Sequence, residues 1–251
     1  MLESIEIPPE SITAMKNDCH GPSIRCEPFD SPAQSADVHR LTSEQRQRLD
    51  RIASSVKFKR GELLYRQDEP ATVVYNIIHG VVSAYRILPS GRRRVLAFLF
   101  AENLVGLAAK GRYVNTARAV TAVNAYRLPL RGLDALLRKD VSLQYPFFCR
   151  ISHDLREAQQ LAILLARRDA VGKVACFLQR LAREPTTTRA GHGRIFVPMS
   201  RTDIADHLGL TLESVSRAFA RLARRRIVHF PDPRHASVLD ATRLREIAGG
   251  I

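Results

Sequence analysis

The sequence lacks the two features that direct a protein into or across a membrane. No run of apolar residues approaches the about 18 consecutive residues that a membrane-spanning helix requires. The first residues, MLESIEIPPESIT, carry acidic residues and prolines where a secretion signal has basic residues and an apolar stretch. We therefore expect a cytoplasmic protein with no membrane partner.

Cysteine is scarce, with four residues at positions 19, 26, 149 and 176. In a cytoplasmic chain of 251 residues this number does not indicate a disulfide framework. Cys19 and Cys26 are spaced more widely than the Cys-x-x-Cys pair of zinc or redox sites, and the nearby His20 and His39 complete no familiar ligand set. We expect loop cysteines and no metal site, with a metal at Cys19 and Cys26 as the alternative.

Motifs of the common enzyme classes are also missing. The chain contains no Gly-x-Ser-x-Gly, phosphate-binding loop, His-Glu-x-x-His or dinucleotide-binding fingerprint. Cys149 and His153 are four residues apart, a spacing that places a nucleophile and a base on one helix face. Because Cys149 adjoins an apolar seam, we expect no catalytic residues, no enzyme activity and no cofactor.

Basic residues, in contrast, are abundant. Lysine and arginine number 39 against 25 aspartate and glutamate residues, which gives a formal net charge of +14. Such an excess indicates a polyanionic partner, usually nucleic acid, although a generally arginine-rich proteome would also produce it. The densest cluster places five arginines among the ten residues 217–226, so local context near this cluster must decide between the two explanations.

The first half of the chain has the pattern of an antiparallel β domain. Residues 1–40 are rich in proline, serine and aspartate without periodicity, which predicts an irregular arm. Thr42 and Gln45 have the spacing of a capping box at the start of a short helix. Between residues 56 and 130, short β-branched and aromatic runs are separated by turn residues, with a hairpin signal at Ser90-Gly91. We predict an antiparallel β-roll within a domain at 41–140.

After this domain the apolar period becomes helical. We expect Pro146 in the first turn of a long helix. An apolar seam then follows with alternating spacings of three and four residues, formed by Phe148, Ile151, Leu155, Ala158, Ala162 and Leu165. Leu161 and Leu164 give the helix a second apolar face, which can pack on its own roll. We predict a homodimerisation helix at 141–168, with packing inside a single chain as the alternative.

The segment MSRTDIADHLGLTLESVSRAFARLARRRIV predicts two short helices joined by a tight turn. Ser200 and Asp203 are typical of a helix start, Gly209 of its end, and Thr211 of the next start. Short strand-like runs, RIFVP before this unit and IVHF and SVLD after it, give it a winged arrangement. We predict a winged helix-turn-helix DNA-binding domain at 169–251, with an ordinary helical hairpin as the alternative.

The second of these helices would be the recognition helix, whose outward N-terminal face contacts DNA bases. Arginine there can pair with guanine, and glutamate can accept from a cytosine amino group. The base-reading residues that we expect are Leu212, Glu213, Ser216 and Arg217. The residues that we expect at DNA phosphates are Arg201, Thr211, Arg221, Arg224 and Arg225.

The order of roll, long seam helix and winged helix-turn-helix resembles the Crp/Fnr superfamily of bacterial transcription regulators over residues 41–248. DIADHLGLTLESVSRAFARL is similar to the Fnr-branch signature Glu-x-x-Ser-Arg, formed here by Glu213, Ser216 and Arg217. The resemblance implies an α+β fold with an N-terminal jelly-roll like that of cyclic nucleotide-binding proteins. It also implies a homodimer, with double-stranded DNA and RNA polymerase as partners.

At several positions the sequence departs from the superfamily pattern, and these departures indicate which group of the superfamily it resembles. Gly106-Leu107 stands where cyclic nucleotide-binding members have Gly-Glu, and Asn115-Thr116 replaces their Arg-Ser/Thr pair. Iron–sulfur members place one cluster cysteine in the roll, whereas this chain has none between residues 56 and 130. The chain is most similar to the FixK group, which lacks the cluster. This resemblance implies an activator of microaerobic, anaerobic or nitrogen-fixation genes.

The resemblance also sharpens the expected DNA site. Leu212 stands where cAMP-responsive relatives have an arginine, and its methyl groups can pack on a thymine methyl group. Together with a guanine contact from Arg217, this predicts the palindrome TTGA…TCAA. Two alternatives remain. One is a structural DNA-packaging protein. The other is a regulator on the same scaffold that needs an effector, a metal or a redox signal, with Cys149 beside Arg150 as the redox candidate.

Overall fold

The computed structural model describes residues 21–25, 40–167, 169–184, 187 and 194–249. The hypothetical metal site at Cys19 and Cys26, with His20 and His39, lies outside these residues. Within the predicted irregular arm, Gly21–Arg25 is not a free tail. Ile24 is fully buried, and the main chain of Ser23 exchanges hydrogen bonds with the Asn76 side chain at 3.0 and 2.8 Å. This part of the arm therefore packs on the roll.

The β-roll consists of two antiparallel four-stranded sheets and a small two-stranded sheet. Their orders are β1-β10-β3-β6, β2-β9-β4-β5 and β7-β8. The strands are β1 Ser54–Phe58, β2 Leu63–Tyr65, β3 Val73–His79, β4 Val82–Ile87, β5 Arg93–Leu99, β6 Leu104–Val105, β7 Ala108–Ala109, β8 Arg112–Tyr113, β9 Thr116–Ala119 and β10 Val123–Pro129. The hairpin predicted at Ser90-Gly91 joins β4 to β5, and Gly91 has the positive φ of +76° that favours glycine.

Tyrosine rings fill part of the space between the two large sheets. Tyr65 stacks on Tyr113 with ring centroids 3.8 Å apart and lies 6.4 Å from Tyr75. Their hydroxyls bond inside the roll, since Tyr113 donates to the Val73 carbonyl at 2.8 Å. Burial raises the pKa of Tyr65 well above its ordinary value, so these phenols stay neutral.

One helix, α1 Ser43–Asp50, precedes the roll. Three more connect the roll to the C-terminal region: α2 Leu130–Lys139, α3 Val141–Ala166 and α4 Ala170–Arg183. The capping box predicted at Thr42 and Gln45 is present. Asp140 caps α3 through its side chain, which accepts from the Ser142 amide. With this cap, α3 begins at Val141, the N-terminal bound predicted for the long helix.

The start of α3 at Val141 corrects the expected place of Pro146. We expected Pro146 in the first turn, but it lies in the helix interior. There a proline removes the amide that would bond the carbonyl four residues earlier. That carbonyl belongs to Ser142, and it accepts instead from Gln45 Nε2 of α1 at 2.8 Å. A side chain from another helix thus replaces the lost donor.

The C-terminal region is a winged helix-turn-helix, as predicted. Its helices are α5 Arg201–Leu208, α6 Leu212–Arg224 and α7 Ala241–Ala248, and its sheet has the order β11-β13-β12. These strands are β11 Arg194–Phe196, β12 Val228–Asp232 and β13 His235–Val238. The predicted caps at Ser200 and Thr211 are present, and Gly209 ends α5 with φ +65°. The sequence analysis missed α7.

One hydrophobic core joins this region to the roll. Val95, Phe98 and Phe100 from the β5 side pack with buried residues of α4, α5 and α6. The Phe98 ring lies 6.0 Å from that of Phe177 in α4, measured between centroids. The helix-turn-helix is therefore packed against the roll rather than held only by its linker.

Candidate DNA-binding site

The recognition helix α6 divides into a buried and an exposed face. Its inner side is apolar and buried, and comprises Val215, Ala218, Phe219 and Leu222. The expected base-reading residues Leu212, Glu213, Ser216 and Arg217 are all exposed, and they belong to the first turns of the helix. Helical spacing of three and four residues produces this separation, because the two sets then occupy opposite sides of one cylinder.

Glu213 and Arg217 are the most accessible charged pair of this face. Arg217 Nη2 lies 3.7 Å from Glu213 Oε2, and the two side chains are 83% and 80% exposed. A pair this exposed contributes little to stability, so both groups can leave it for a DNA base at small cost. Ser216 is more constrained, since its hydroxyl donates to the Leu212 carbonyl at 2.9 Å and leaves only an acceptor for a partner.

The residues expected at phosphates fall into two groups. Arg221, Arg224 and Arg225 are exposed at the C-terminal end of α6. The Thr211 hydroxyl is engaged in the helix start: it accepts from the Ser214 amide at 3.1 Å and donates to the Ser214 hydroxyl at 2.9 Å. Thr211 must give up the second bond before it can donate to a phosphate.

Arg201 occupies an environment that the sequence analysis did not anticipate. Its guanidinium lies 3.3 Å from the centroid of the Phe219 ring and 5.6 Å from that of Phe230. Burial lowers the pKa of Arg201 to about 10, which leaves the group charged at neutral pH. The cation therefore stacks on the aromatic rings of α6 and β12, and its contact with DNA stays a prediction.

The seam helix α3 carries an exposed apolar stripe. Phe148, Ile151 and Leu155 are 57%, 65% and 58% exposed. Ala158 and Ala162 of the predicted seam are exposed as well, and Leu164 of the second face is buried in the core as expected. The sequence analysis missed further exposed apolar residues of α3, namely Val141, Tyr145 and Ile163.

Two seam-region residues differ from their expected environment. Leu165 is only half-exposed and lies beside Gly209 at the turn of the helix-turn-helix. Cys149 is completely buried, and the adjacent Arg150 is buried and paired with Asp154. A reactive thiol needs solvent access, and the burial of Cys149 argues against the redox role expected for it. Within the described part of the chain, no group of three or more His, Cys, Asp and Glu residues is arranged to hold a metal.

The positions at which cyclic nucleotide-binding members hold their ligand have different chemistry in this roll. Leu107 is apolar and exposed. Asn115 is buried, and its Oδ1 accepts from the Tyr65 hydroxyl at 2.9 Å. Thr116 Oγ1 accepts from the Gln67 amide at 3.0 Å. An amide already bonded to a tyrosine cannot neutralise a phosphate, so these residues do not fit a cyclic nucleotide.

Two family models match the chain. The model of the cyclic nucleotide-binding domain matches residues 55–140, and that of the Crp-like helix-turn-helix domain matches residues 172–247. Both segments coincide with the roll and the winged helix-turn-helix described above. In addition, none of the helices that the structure describes is long and apolar enough to cross a membrane.

Several known proteins are similar to this chain over most of their own length. The transcriptional activatory protein AadR of Rhodopseudomonas palustris is 36% identical over 92% of this chain and 95% of its own. The nitrogen fixation regulation protein FixK of Bradyrhizobium diazoefficiens is 30% identical over 85% of this chain and 90% of its own. The solved structure of FixK2 from Bradyrhizobium japonicum has a TM-score of 0.73 and 32% identity, and covers 78% of this chain and 97% of that one. The chain belongs to the Crp/Fnr family of transcription regulators, which bind DNA through this helix-turn-helix and are not enzymes.

Proposed function

We propose that the protein is a homodimeric, sequence-specific transcription activator that binds the palindrome TTGA…TCAA. The observation that carries this proposal is the exposed face of α6. There Glu213 and Arg217 can leave their mutual ion pair and bond to DNA bases instead. Arg217 reads the guanine of each half-site, Glu213 accepts from an amino group nearby, and Leu212 packs on a thymine methyl group. Arg221, Arg224 and Arg225 contact phosphates and fix the register without reading sequence.

The exposed apolar stripe on α3 supports the proposed dimer. Exposed apolar residues over most of a helix of 26 residues need a partner surface. Two copies related by a two-fold axis would cover each other's stripes, with Ile151 and Leu155 near the axis. The division into a roll at 41–140, a dimerisation helix at 141–168 and a DNA-binding domain at 169–251 then gives recognition helices about one DNA turn apart.

The physiological role is inferred from the relatives. A transcriptional activatory protein and nitrogen fixation regulation proteins are among them. We infer that this chain activates microaerobic, anaerobic or nitrogen-fixation genes through RNA polymerase, in the cytoplasm. Since the roll does not fit a cyclic nucleotide, DNA binding requires no such ligand, and adding cAMP should leave the affinity unchanged.

Selection of bound sites from random duplex DNA by the purified protein tests the proposal. We expect an inverted repeat with TTGA half-sites and one preferred spacing between them. Enrichment of no sequence would contradict a specific regulator and favour a DNA-packaging role. Specific binding only after addition of an effector, a metal or a reductant would favour the sensing alternative.

The substitution Ile151→Asp tests the dimer separately. It would place a carboxylate against the partner's apolar stripe, and an unpaired buried charge is strongly unfavourable. Sedimentation should show a large shift towards monomer, and the palindrome should be bound far more weakly. The matched control is Ser54→Asp on the exposed start of β1, which should remain dimeric. A stable Ile151→Asp dimer with normal DNA binding would show that α3 is not the interface.

A further inference from the structure

A set of charged side chains connects the β-roll to the first helix of the helix-turn-helix. Arg93 of β5 donates from Nε to Asp206 Oδ2 at 2.8 Å and from Nη2 to Asp203 Oδ1 at 2.6 Å. Arg118 of β9 donates to the same oxygen of Asp203 at 3.2 Å. We call these four side chains, Arg93, Arg118, Asp203 and Asp206, the roll–helix clasp.

The clasp is shielded from water more than an ordinary surface ion pair. The Arg93 side chain is 21% exposed and that of Asp203 only 7%. Charge-assisted hydrogen bonds in such surroundings are stronger than exposed ones and have a defined geometry. Asp203 also accepts from the Ser200 amide at 3.2 Å and from the Ser200 hydroxyl at 2.7 Å. The carboxylate held by the roll is thus the one that starts α5.

Two further hydrogen bonds join β5 to α5, each from a side chain of one element to a main-chain carbonyl of the other. Arg94 donates from Nη1 to the carbonyl of Asp206 at 3.3 Å. The His207 ring nitrogen Nδ1 lies 3.2 Å from the Val95 carbonyl, which can only accept, so the ring donates. Consecutive residues of β5 therefore bond to the end of α5, and the relative rotation of the two elements is restricted.

Lys173 of α4 holds α5 from a second side. Its ammonium donates to the Leu165 carbonyl near the end of α3 at 3.0 Å and to the Leu208 carbonyl at the end of α5 at 3.2 Å. Both carbonyls belong to helix C-termini, where a cation is favourable. Lys173 is buried, so one ammonium links the end of the seam helix to the helix-turn-helix.

The recognition helix is fixed by these contacts through α5. Gly209 joins α5 to α6 in a tight turn, and both helices share one core. In this arrangement the base-reading face of α6 remains exposed, with Arg217 pointing away from the protein body.

We propose that Arg93 and Arg118, together with Lys173, are positioning residues that hold the recognition helices in the orientation that binds DNA. The proposal rests on the proposed function, because it assumes a dimer on a palindrome. The two arginines act on DNA only through Asp203 and Asp206. The contacts thereby restrict the orientation of the recognition helix relative to the roll.

The double substitution Arg93→Gln/Arg118→Gln tests the proposal in the full chain. Fluorescence anisotropy would measure affinity for TTGA…TCAA duplexes whose spacer is optimal, shorter or longer by a single base pair. We expect affinity for the optimal spacer to fall about tenfold or more, and the preference for that spacer to weaken. The matched control is Arg86→Gln/Arg92→Gln, which removes the same charge from exposed arginines of the β4–β5 hairpin. Its affinity and spacer preference should equal those of the wild type.

Further measurements separate positioning from folding. Sedimentation and thermal unfolding should show a folded dimer for each variant used. Arg93→Lys keeps the charge but cannot bond both aspartates as a fork, so its spacer preference should be intermediate. Lys173→Met should change the spacer preference in the same direction as the double substitution. If the double variant does not fold, Arg93→Lys decides alone.

The binding measurements distinguish failure of the positioning role from failure of the proposed function. Unchanged affinity and spacer preference in the clasp variants would overturn the positioning role. Tighter binding would overturn it as well, because the clasp would then hold a non-binding orientation. If the wild type itself does not bind the palindrome, the proposed function fails first. A wild type that binds with a spacer preference, beside variants that match it, leaves the proposed function intact and removes only this inference.

Discussion

The arginines of the roll–helix clasp and those of α6 have the same charge but opposite surroundings. Arg93 bonds two carboxylates and is largely buried, whereas Arg217 is almost fully exposed and Arg224 is exposed as well. The first set stabilises the protein's own architecture, while the second is available to an outside polyanion. A net charge of +14 therefore does not measure the DNA-binding surface. Only the exposed arginines contribute fully to it.

Removing a carboxylate from the clasp should have the largest effect on stability. Asp203→Ala leaves Arg93 and Arg118 without their shared acceptor and removes the carboxylate half of the capping box of α5. We expect a loss of about 2–4 kcal/mol in the free energy of unfolding, measured in urea. The control is Asp134→Ala, which breaks the exposed Arg138–Asp134 pair on α2 and should cost far less. Equal losses would erase the distinction between shielded and exposed pairs.

Acid should weaken the packing of α5 on the roll, because His207 lies buried between them. Burial lowers the pKa of His207 from 6.5 to about 4, and the charges of Arg180 and Arg94 act in the same direction. Above pH 6.5 the ring is neutral in both folded and unfolded chains, so stability is unaffected. As the pH falls from there towards 4, the unfolded chain gains a proton that the folded one does not. The free energy of unfolding should drop by up to roughly 3 kcal/mol.

Urea unfolding of the wild type and of His207→Gln measures this dependence. The variant lacks the titrating ring, so its stability should change less between neutral pH and about pH 4.5. Asp203 does not confound this range. Burial alone would raise the pKa of Asp203, but the hydrogen bond from Ser200 and the charge of Arg93 outweigh it and hold that pKa below its ordinary value. Parallel curves for the two proteins would show that His207 is not the group responsible.

Arg217→Ala should affect DNA recognition and leave stability unchanged. The exposed Glu213 pair is too weak to matter for folding, but the lost guanine contact should cost about 1–3 kcal/mol in binding. The comparison is between TTGA…TCAA and a duplex with that guanine replaced. Wild type should discriminate between the two duplexes, and the variant should not. Equal discrimination by both proteins would show that Arg217 does not read this base.

The smallest expected effects belong to Arg224→Ala and Arg225→Ala. Both side chains are exposed at the end of α6, so unfolding free energies should change by less than about 0.5 kcal/mol. Each substitution should weaken binding to all sequences alike and reduce the slope of log affinity against log salt by about one. A sequence-dependent loss would instead assign these arginines to base reading.

Local signals in the sequence predicted local structure well. The capping box at Thr42, the helix cap at Ser200 and the left-handed Gly209 each depend on residues within a few positions, and all are present. The recognition helix followed from the same kind of signal. Its exposed face could therefore be identified residue by residue before any fold was known.

Long-range contacts could not be predicted in this way. Arg93 and Asp203 are 110 residues apart, and arginine patterns do not say which charges will find carboxylates. The stacking of Arg201 on Phe230 likewise depends on where β12 lies. Strands of two residues, such as β6 and β7, have too few side chains for an alternating pattern. Tertiary packing alone determines these features.

The glutamine that bonds the Ser142 carbonyl also constrains how this sequence can change over generations. A proline at position 146 is tolerated because Gln45, 97 residues before Ser142, supplies the missing donor. A lineage that lost Gln45 first would leave an unsatisfied carbonyl near the exposed apolar stripe of α3, whereas one that lost Pro146 first would regain the ordinary helix bond. The order of mutations thus matters here, and the glutamine becomes dispensable only after the proline has gone.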